Sequence, residues 1–371
     1  PEYVSFVQQQ LIQVIEGAAR RTIPARAGWA VAAVPEYTNC RRWILRPDKM
    51  RKDPFGDLTI RANMHPGYQS PEFIGPSGPK DPELSVFAVQ SAEGRPIALL
   101  ANYSMHYVGG DRGVSPDYYG PFCENVRRLL GIPAQDAGFI AMMSQGTSGD
   151  QHWMDYSRPK QEWTTNQYAE ALVRSAYAAY QKIRYSESTP LDIRETKLTL
   201  SRRIPDDRRL QWAREIYDGV PEGKPRTQVE VYAREQILIA QEPKRELKLQ
   251  AIRIGDLGIA AWPNEVYAIS GLKIKAQSPL RHTFNIELAN GADGYIPPPE
   301  QHMLGGYTTW PARTAGLEAG AEPRIVDALL GLIEQAGGKK RRPLEDVHGA
   351  YARAILATRP NRSLHRTQRN R

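Results

Sequence analysis

An apolar run, Leu257-Gly258-Ile259-Ala260-Ala261-Trp262, breaks at Pro263-Asn264 and hands a carboxylate, Glu265, to the segment that follows. This constrains the fold more than any other feature. A strand that ends by presenting a charged group belongs to a sheet whose strand ends line a crevice, and in open α/β sheets ligands bind there. A carboxylate at such a place is costly unless it pairs, caps a helix or binds a metal. Three further strand-like runs also end in polar or ligand-type residues: 97–105 before His106, 139–144 before Gln145 to His152, and 283–289 before Asn290 to Tyr295. One site fed by several strand ends is the economical reading. The alternative for Glu265 is a first-turn carboxylate facing its own helix dipole, with Asn264 as N-cap.

Val4, Val7, Leu11, Val14, Ile15 and Ala18 recur near a period of 3.6 and predict an amphipathic helix over 3–19. A strand is expected over 25–34. Residues 35–81, rich in Pro, Gly, Arg and Asp without periodicity, read as a long surface excursion. Hairpins are expected over 83–105 and over 246–261, the second turning at Gly255-Asp256. Helices are expected over 118–130, 162–184, 206–217, 228–239, from Glu265 onward, and over 322–334, with strands at 139–144, 191–201 and 283–289. Alternating helices and strands with hairpins among them give an α/β fold with a mixed sheet, flanking helices and β-hairpins. Its cleft lies at the strand carboxyl ends. One domain is expected over 1–338, followed by a basic, fraying tail over 339–371.

At 371 residues and 41% hydrophobic the chain can bury a substantial core. The formal net charge of +8 is spread along it and thickens only in Lys339 to Arg342 and in 359–371, so no nucleic-acid partner is expected. Cys40 and Cys123 alone make neither a disulfide framework nor a cysteine zinc site, and they leave the compartment open. No apolar run approaches the roughly 18 residues of a membrane span. A start at Pro1, without Met or a signal-like segment, is expected of a fragment or a processed chain.

Five motifs follow one another in a telling order: Pro35 to Arg42 (Pro-Glu-Tyr-Thr-Asn-Cys-Arg-Arg); Leu99 to His106 followed by Ser115-Pro116-Asp117-Tyr118-Tyr119-Gly120; Ser144-Gln145-Gly146-Thr147-Ser148-Gly149-Asp150; Trp262-Pro263-Asn264-Glu265; and Gly294 to Glu300 with Tyr307. In this order, over roughly residues 3–334, the chain resembles the catalytic region of the neutral or alkaline non-lysosomal ceramidase family. These are zinc amidohydrolases that cleave the N-acyl bond of ceramide into sphingosine and a fatty acid. The family's zinc-ligand Tyr and second active-site Tyr stand as far apart as Tyr295 and Tyr307.

The resemblance implies Zn2+ held by His106, Glu265 and Tyr295, with Arg41 and Tyr307 lining the scissile amide and Asp150 in the same cleft. Imidazole and carboxylate are ordinary zinc donors, and a phenolate is tolerable beside a cation. The implied partner is a lipid or N-acyl amide substrate, with peripheral contact at a membrane surface, and the implied location is secreted or periplasmic. Oligomeric state stays open. The chain departs from the family twice. The family's first zinc His falls upstream of Pro1, and the immunoglobulin-like C-terminal domain would begin where this chain ends. Where the family has a Ser touching the amide, this chain has His152. That favours a related zinc hydrolase of another amide or an ester, and an inactive lipid- or partner-binding relative is the reading from another class. Convergence of His106, Glu265 and Tyr295, which are distant in sequence, is the expectation that matters most. Asn102-Tyr103-Ser104 matches a glycosylation sequon, but within a strand it reads as chance. The remaining histidines, His65 among them, read as structural.

Overall fold

Two mixed four-stranded sheets organise the molecule, and in each a helix-bearing crossover makes one strand pair parallel. The computed structural model describes residues 2–343, so the basic stretch 359–371 and the rest of 344–371 lie outside the described residues. The first sheet has the order β1 (Ala25–Ala33), β6 (Glu83–Ser91), β7 (Pro96–Tyr103), β8 (Ile140–Gln145). Its last pair is parallel, with Tyr103 opposite Gln145, and α2 (Tyr119–Leu129) lies in the crossover. The second sheet has the order β10 (Leu191–Ser201), β11 (Lys244–Ile254), β12 (Leu257–Ala261), β14 (His282–Ile286). Its last pair is also parallel, with Ala261 opposite Ile286, and α6 (Ala268–Gln277) is the crossover.

The sheets pack on each other through Leu257, Ile259 and Phe284 of the second and Trp29, Phe87 and Leu100 of the first. α2 and α3 (Thr165–Tyr180) cover the outer face of the first sheet through Phe122, Tyr168 and Leu172. α8 (Ala321–Gly337) covers the second through Ile325, Leu329 and Ile333. Each fully buried side chain of this kind contributes about 1.5–3 kcal/mol. Two further helices, α4 (Asp207–Asp218) and α5 (Gln228–Ala240), bridge β10 and β11. The α3 boundary falls inside the expected 162–184 because a capping box between Thr164 and Gln167 fixes its start.

Two sequence expectations need correction. Residues 35–81 are not a surface excursion. β2 (Asn39–Cys40) pairs with β9 (Gln151–His152), and β3 (Arg42–Leu45) lies between β4 (Ala62–Met64) and β5 (Phe73–Pro76). The segment is ordered by buried polar groups rather than by an apolar period. Fully buried Arg42 donates to Gln301 Oε1 at 2.9 Å, to the Gln301 carbonyl at 3.2 Å and to the Gly305 carbonyl at 2.7 Å, tying it to the one-turn α7 (Pro299–His302). Second, Glu265 starts no helix. It lies in β13 (Glu265–Val266), paired in parallel with β15 (Tyr295–Ile296), and α6 begins only at Ala268. The expected helix forms as α1 (Glu2–Ala19); none of its residues is buried, and Val4, Leu11, Val14 and Ile15 are exposed. Asn102 is buried in β7 and donates to the Asn285 carbonyl at 2.8 Å, a bond that ties the two sheets together. Among the described residues no helix is long and apolar enough to cross a membrane.

Candidate functional site

The parallel pairs of both sheets end at one place. Beyond β7 the chain runs through Ser104 and Met105 to His106, and beyond β8 it enters the turn 146–150. β12 leads through Trp262 to Glu265, and β14 leads directly to Glu287. The Glu287 amide donates to the Gln145 carbonyl at 3.1 Å, which joins the ends of β8 and β14 across the sheets. This is the crevice beyond strand carboxyl ends where α/β sheets bind ligands.

The register of β13 on β15 sets Glu265 directly opposite Tyr295. Two close backbone approaches make that pairing. Gly149 packs so tightly on Glu265 and Val266 that a Cβ would lie 3.1 Å from their carbonyl carbons, and its amide donates to the Val266 carbonyl at 2.8 Å. Gly294, at φ +85, would drive a Cβ to 1.9 Å from the Thr314 carbonyl oxygen, so only glycine fits immediately before Tyr295. Asn264 takes φ +69, and its buried side chain accepts from the Asp293 amide at 2.7 Å. It is a left-handed turn residue and not the N-cap of a helix.

Around this pair the structure gathers most of the expected residues. Arg41 is buried; its Nη2 donates to the Gly149 carbonyl at 3.0 Å, lies 3.4 Å from the Tyr295 hydroxyl and 3.8 Å from Glu265 Oε2. His106 Nε2 lies 4.0 Å from the same Glu265 oxygen. The Tyr307 ring meets Tyr295 edge-on at 5.7 Å between centroids. His152 is buried, with ring centroids 6.5 Å from His106 and 5.7 Å from Tyr107. Asp150 is placed differently. Its Oδ1 accepts from the Ala268 amide at 2.8 Å and from Gln151 Nε2 at 2.9 Å, so this fully buried carboxyl is committed to holding the start of α6.

Two functional candidates escape a reading by motif. His65 stands at φ +53 with its ring 5.5 Å from His152, its Nδ1 2.5 Å from the Tyr156 hydroxyl and its amide on the Arg41 carbonyl. Glu287 accepts from the amides of Ser148 at 3.0 Å and Val266 at 2.8 Å and meets Gln145 Nε2 at 2.8 Å. His65 gave no sequence signal. Glu287 did give one, a lone carboxylate at the end of the apolar strand Phe284-Asn285-Ile286, the same signal that singled out Glu265.

The electrostatics are those of an unsatisfied site. Glu265 Oε2, Arg41 Nε and His152 Nδ1 are each cut off from solvent without a hydrogen-bond partner. Burial raises the Glu265 carboxyl above its ordinary value, while Tyr295 and Arg41 pull it down. Burial, then the Arg41 charge, lowers His106 to about 3 and His152 to about 2, so both imidazoles are neutral at pH 7. Burial also raises the Tyr295 phenol, with Tyr307 adding to the shift, so Tyr295 ionises only beside a cation. Among the described residues no three His, Cys, Asp or Glu side chains gather closely enough to hold a metal ion. His106 and Glu265 supply two such donors and Tyr295 a third of another kind. A neutral imidazole and a buried carboxylate oxygen without a proton donor are the states a zinc ion requires of its ligands.

No protein-family model matches the chain, and no curated protein matches it in sequence. Solved structures do match. A neutral ceramidase from Pseudomonas aeruginosa aligns with a TM-score of 0.58 at 16% identity, covering 89% of this chain and 56% of that one. A ceramidase complexed with C2 aligns with a TM-score of 0.57 at 15% identity, covering 88% and 56%. The chain therefore spans little more than half the length of those proteins, and what it shares with them is the neutral ceramidase fold.

Proposed function

We propose that the chain carries a ceramidase-like hydrolytic site that cleaves an N-acyl amide bond with the help of Zn2+. The observation that supports this best is the gathering of His106, Glu265, Tyr295 and Arg41 around one unpartnered carboxylate oxygen, in a fold of the neutral ceramidase type. His106, Glu265 and Tyr295 would hold the metal, which when bound supplies Lewis acidity and hydroxide at neutral pH.

The chain's own residues do the rest. Arg41, anchored on the Gly149 carbonyl, directs its guanidinium between Tyr295 and Glu265, where it can hold the carbonyl oxygen of the substrate as charge develops there. Tyr307 flanks Tyr295 edge-on and lines that side of the site. Asp150 acts at one remove, by fixing the start of α6 and, through its carbonyl, the Arg41 amide at 2.8 Å. His152, neutral and next to His106, matches by resemblance the position of the family's Ser and can hydrogen-bond the leaving amine there.

The substrate is an amide with an apolar acyl chain, a lipid of the ceramide kind. The His152, His65 and Tyr107 wall favours a related zinc hydrolase acting on a different amide or ester as the second reading. The scarcity of clustered His, Cys, Asp and Glu donors among the described residues favours, in turn, an inactive lipid- or partner-binding relative. One experiment separates the three: zinc content of the natural full-length protein, together with fatty-acid release from a panel of N-acylsphingosines, N-acyl amino acids and acyl esters. Zinc with ceramide turnover supports the proposal, turnover confined to other members of the panel supports the second reading, and neither zinc nor turnover leaves the inactive relative.

A further inference from the structure

We propose that the cavity walled by α5 and the 292–294 turn is a second binding site, one for a small organic acid carrying a single carboxylate. The cavity measures about 650 Å³, a volume suited to a small molecule. None of Arg41, His106, Glu265, Tyr295 and Tyr307 lines it.

Its charges do not balance. Four guanidiniums line it, those of Arg202, Arg234, Arg245 and Arg313, against the three carboxylates of Glu235, Glu242 and Asp293. Glu235 gives both oxygens to Arg313, at 2.9 and 2.8 Å, and leaves Arg234 at 3.5 Å. Asp293 Oδ1 pairs with Arg245 at 2.6 Å and has Arg202 Nη2 at 3.8 Å. Glu242 takes Arg202 Nη1 at 2.6 Å. The shortage shows in the donors. Arg234 Nε and Arg245 Nε are cut off from solvent without a hydrogen-bond partner. The Arg202 side chain is only 4% exposed, yet its Nη2 makes no hydrogen bond among the described residues. Buried polar groups are seldom left unmet in this way, and one further negative charge completes the set.

That deficit fixes the class of ligand. A carboxylate brings one charge and two acceptors in the plane that a guanidinium fork matches. A phosphate monoester brings about −1.5 to −2, more than the deficit, and would meet Asp293 and Glu242 as like charges. The rest of the wall includes Val231, Ala312 and the ring of Tyr232, which Trp310 holds edge-on at 5.0 Å between centroids. Such a wall covers an organic body, so the occupant is an organic acid rather than a bare ion. The cavity also adjoins the candidate hydrolytic site along the chain. Gly294 in its wall precedes Tyr295, and the Thr314 carbonyl accepts the Tyr295 amide at 2.8 Å.

The test is saturation-transfer NMR on the natural full-length protein, with benzoate as the probe, benzamide as its uncharged counterpart and inorganic phosphate as the bare anion. Benzoate is expected to bind, and benzamide and phosphate are not. Arg202→Gln and Arg234→Gln should each weaken benzoate about tenfold or more, the loss of one charge-assisted hydrogen bond. Arg174→Gln, at an exposed arginine of α3, should leave it unchanged. If Arg202→Gln does not fold, Arg234→Gln decides alone, since its guanidinium has no close partner to lose. The proposal is overturned by absence of benzoate binding, by benzamide or phosphate binding as well as benzoate, or by an Arg234→Gln protein that binds benzoate like the wild type. An equal loss in Arg174→Gln would mean attraction to the basic surface at large and overturns it too. The readout involves neither zinc nor turnover, so this proposal and the hydrolase reading fail independently.

Discussion

Two buried charge clusters lie in the same molecule and are built in opposite ways. In the cluster joining α6 to β6, Lys275 Nζ reaches Asp81 Oδ1 at 2.9 Å, Asp81 Oδ2 at 2.7 Å and Glu83 Oε2 at 2.9 Å, while Ser104 Oγ donates to Asp81 at 3.0 Å. Burial works against the Lys275 charge, but Asp81 and Glu83 outweigh it and hold the ammonium above its ordinary pKa. At the candidate site the charges stop short of one another. Arg41 and His106 stand 3.8 Å and 4.0 Å from Glu265 Oε2, and that oxygen has no hydrogen bond. A closed cluster stabilises structure because each charge has its partner. An open one leaves groups desolvated and available, which is a burden for stability and the condition for binding. The difference separates a closed structural ion cluster from an open one of the kind a binding site needs.

The largest expected effect falls on the closed cluster. Lys275→Met strands Asp81, which has no exposed surface, and partly exposed Glu83 without their counter-ion. Breaking one side of a buried pair costs about 3–5 kcal/mol. Urea unfolding should show that loss. A variant as stable as the wild type would mean that the two clusters do not differ as argued.

Next in size is Arg41→Gln at the open cluster, where the effect belongs to turnover. Loss of one donor to a developing oxyanion costs about 10²–10³ in kcat. Zinc content should remain, because Arg41 donates no metal ligand. Steady-state kinetics on the responsive N-acyl substrate would show kcat falling with KM little changed, and a rise in KM alone would place Arg41 in ground-state binding instead.

The open cluster was partly legible in the sequence, and the reasons differ residue by residue. His106, Glu265 and Tyr295 could be singled out because each ends a strand or stands in a motif whose order resembles a family. The way Glu265 is held could not be foreseen, since Asn264 in a left-handed turn and Asn264 as an N-cap give the same letters. The 35–81 segment was misjudged because its order comes from Arg42 bonding backbone carbonyls, and a pattern of donors to carbonyls has no period. His65 was invisible for the same reason: its place near His152 follows from tertiary pairing of β2 with β9 and from a single left-handed residue. The sheets, by contrast, were legible almost to the residue, as β10 and the turn at Gly255-Asp256 illustrate, because alternation and turn chemistry are local.

A third effect is pH dependence carried by the open cluster's imidazoles. Burial holds folded His106 near 3 and His152 near 2, against 6.5 for the ordinary group. The unfolded chain therefore binds more protons than the folded one below pH 6.5. The stability these neutral rings allow is full above that value and is lost as pH falls towards 4. A loss of about 1–3 kcal/mol between pH 6.5 and 4.5 is expected. Glu287 runs the other way: raised to about 8 from 4.5, it makes the fold more stable as pH falls through that interval. A His152→Asn variant should flatten the acid limb while leaving the alkaline one. Acid denaturation curves that superimpose for variant and wild type would remove these rings from the comparison.

The smallest expected change in stability is at Glu265, and it sharpens the contrast most. Glu265→Gln keeps the shape of the side chain, removes a charge that burial already disfavours, and takes no hydrogen bond from Oε2, because that atom has none. Arg41 keeps its bond to the Gly149 carbonyl and its contact with the Tyr295 hydroxyl. Unfolding free energy should therefore change by less than about 1 kcal/mol, in either direction, with a slight gain as the characteristic result for a residue kept for function rather than stability. Zinc affinity should nevertheless fall by more than the roughly 10–100-fold that the loss of an outer partner costs a metal site. Measured together by urea unfolding and competitive zinc titration, the two results give opposite answers for Glu265 and for Lys275. A Glu265→Gln protein destabilised by several kcal/mol with unchanged zinc binding would show that this carboxylate is closed by a partner after all and belongs with Asp81 and Glu83.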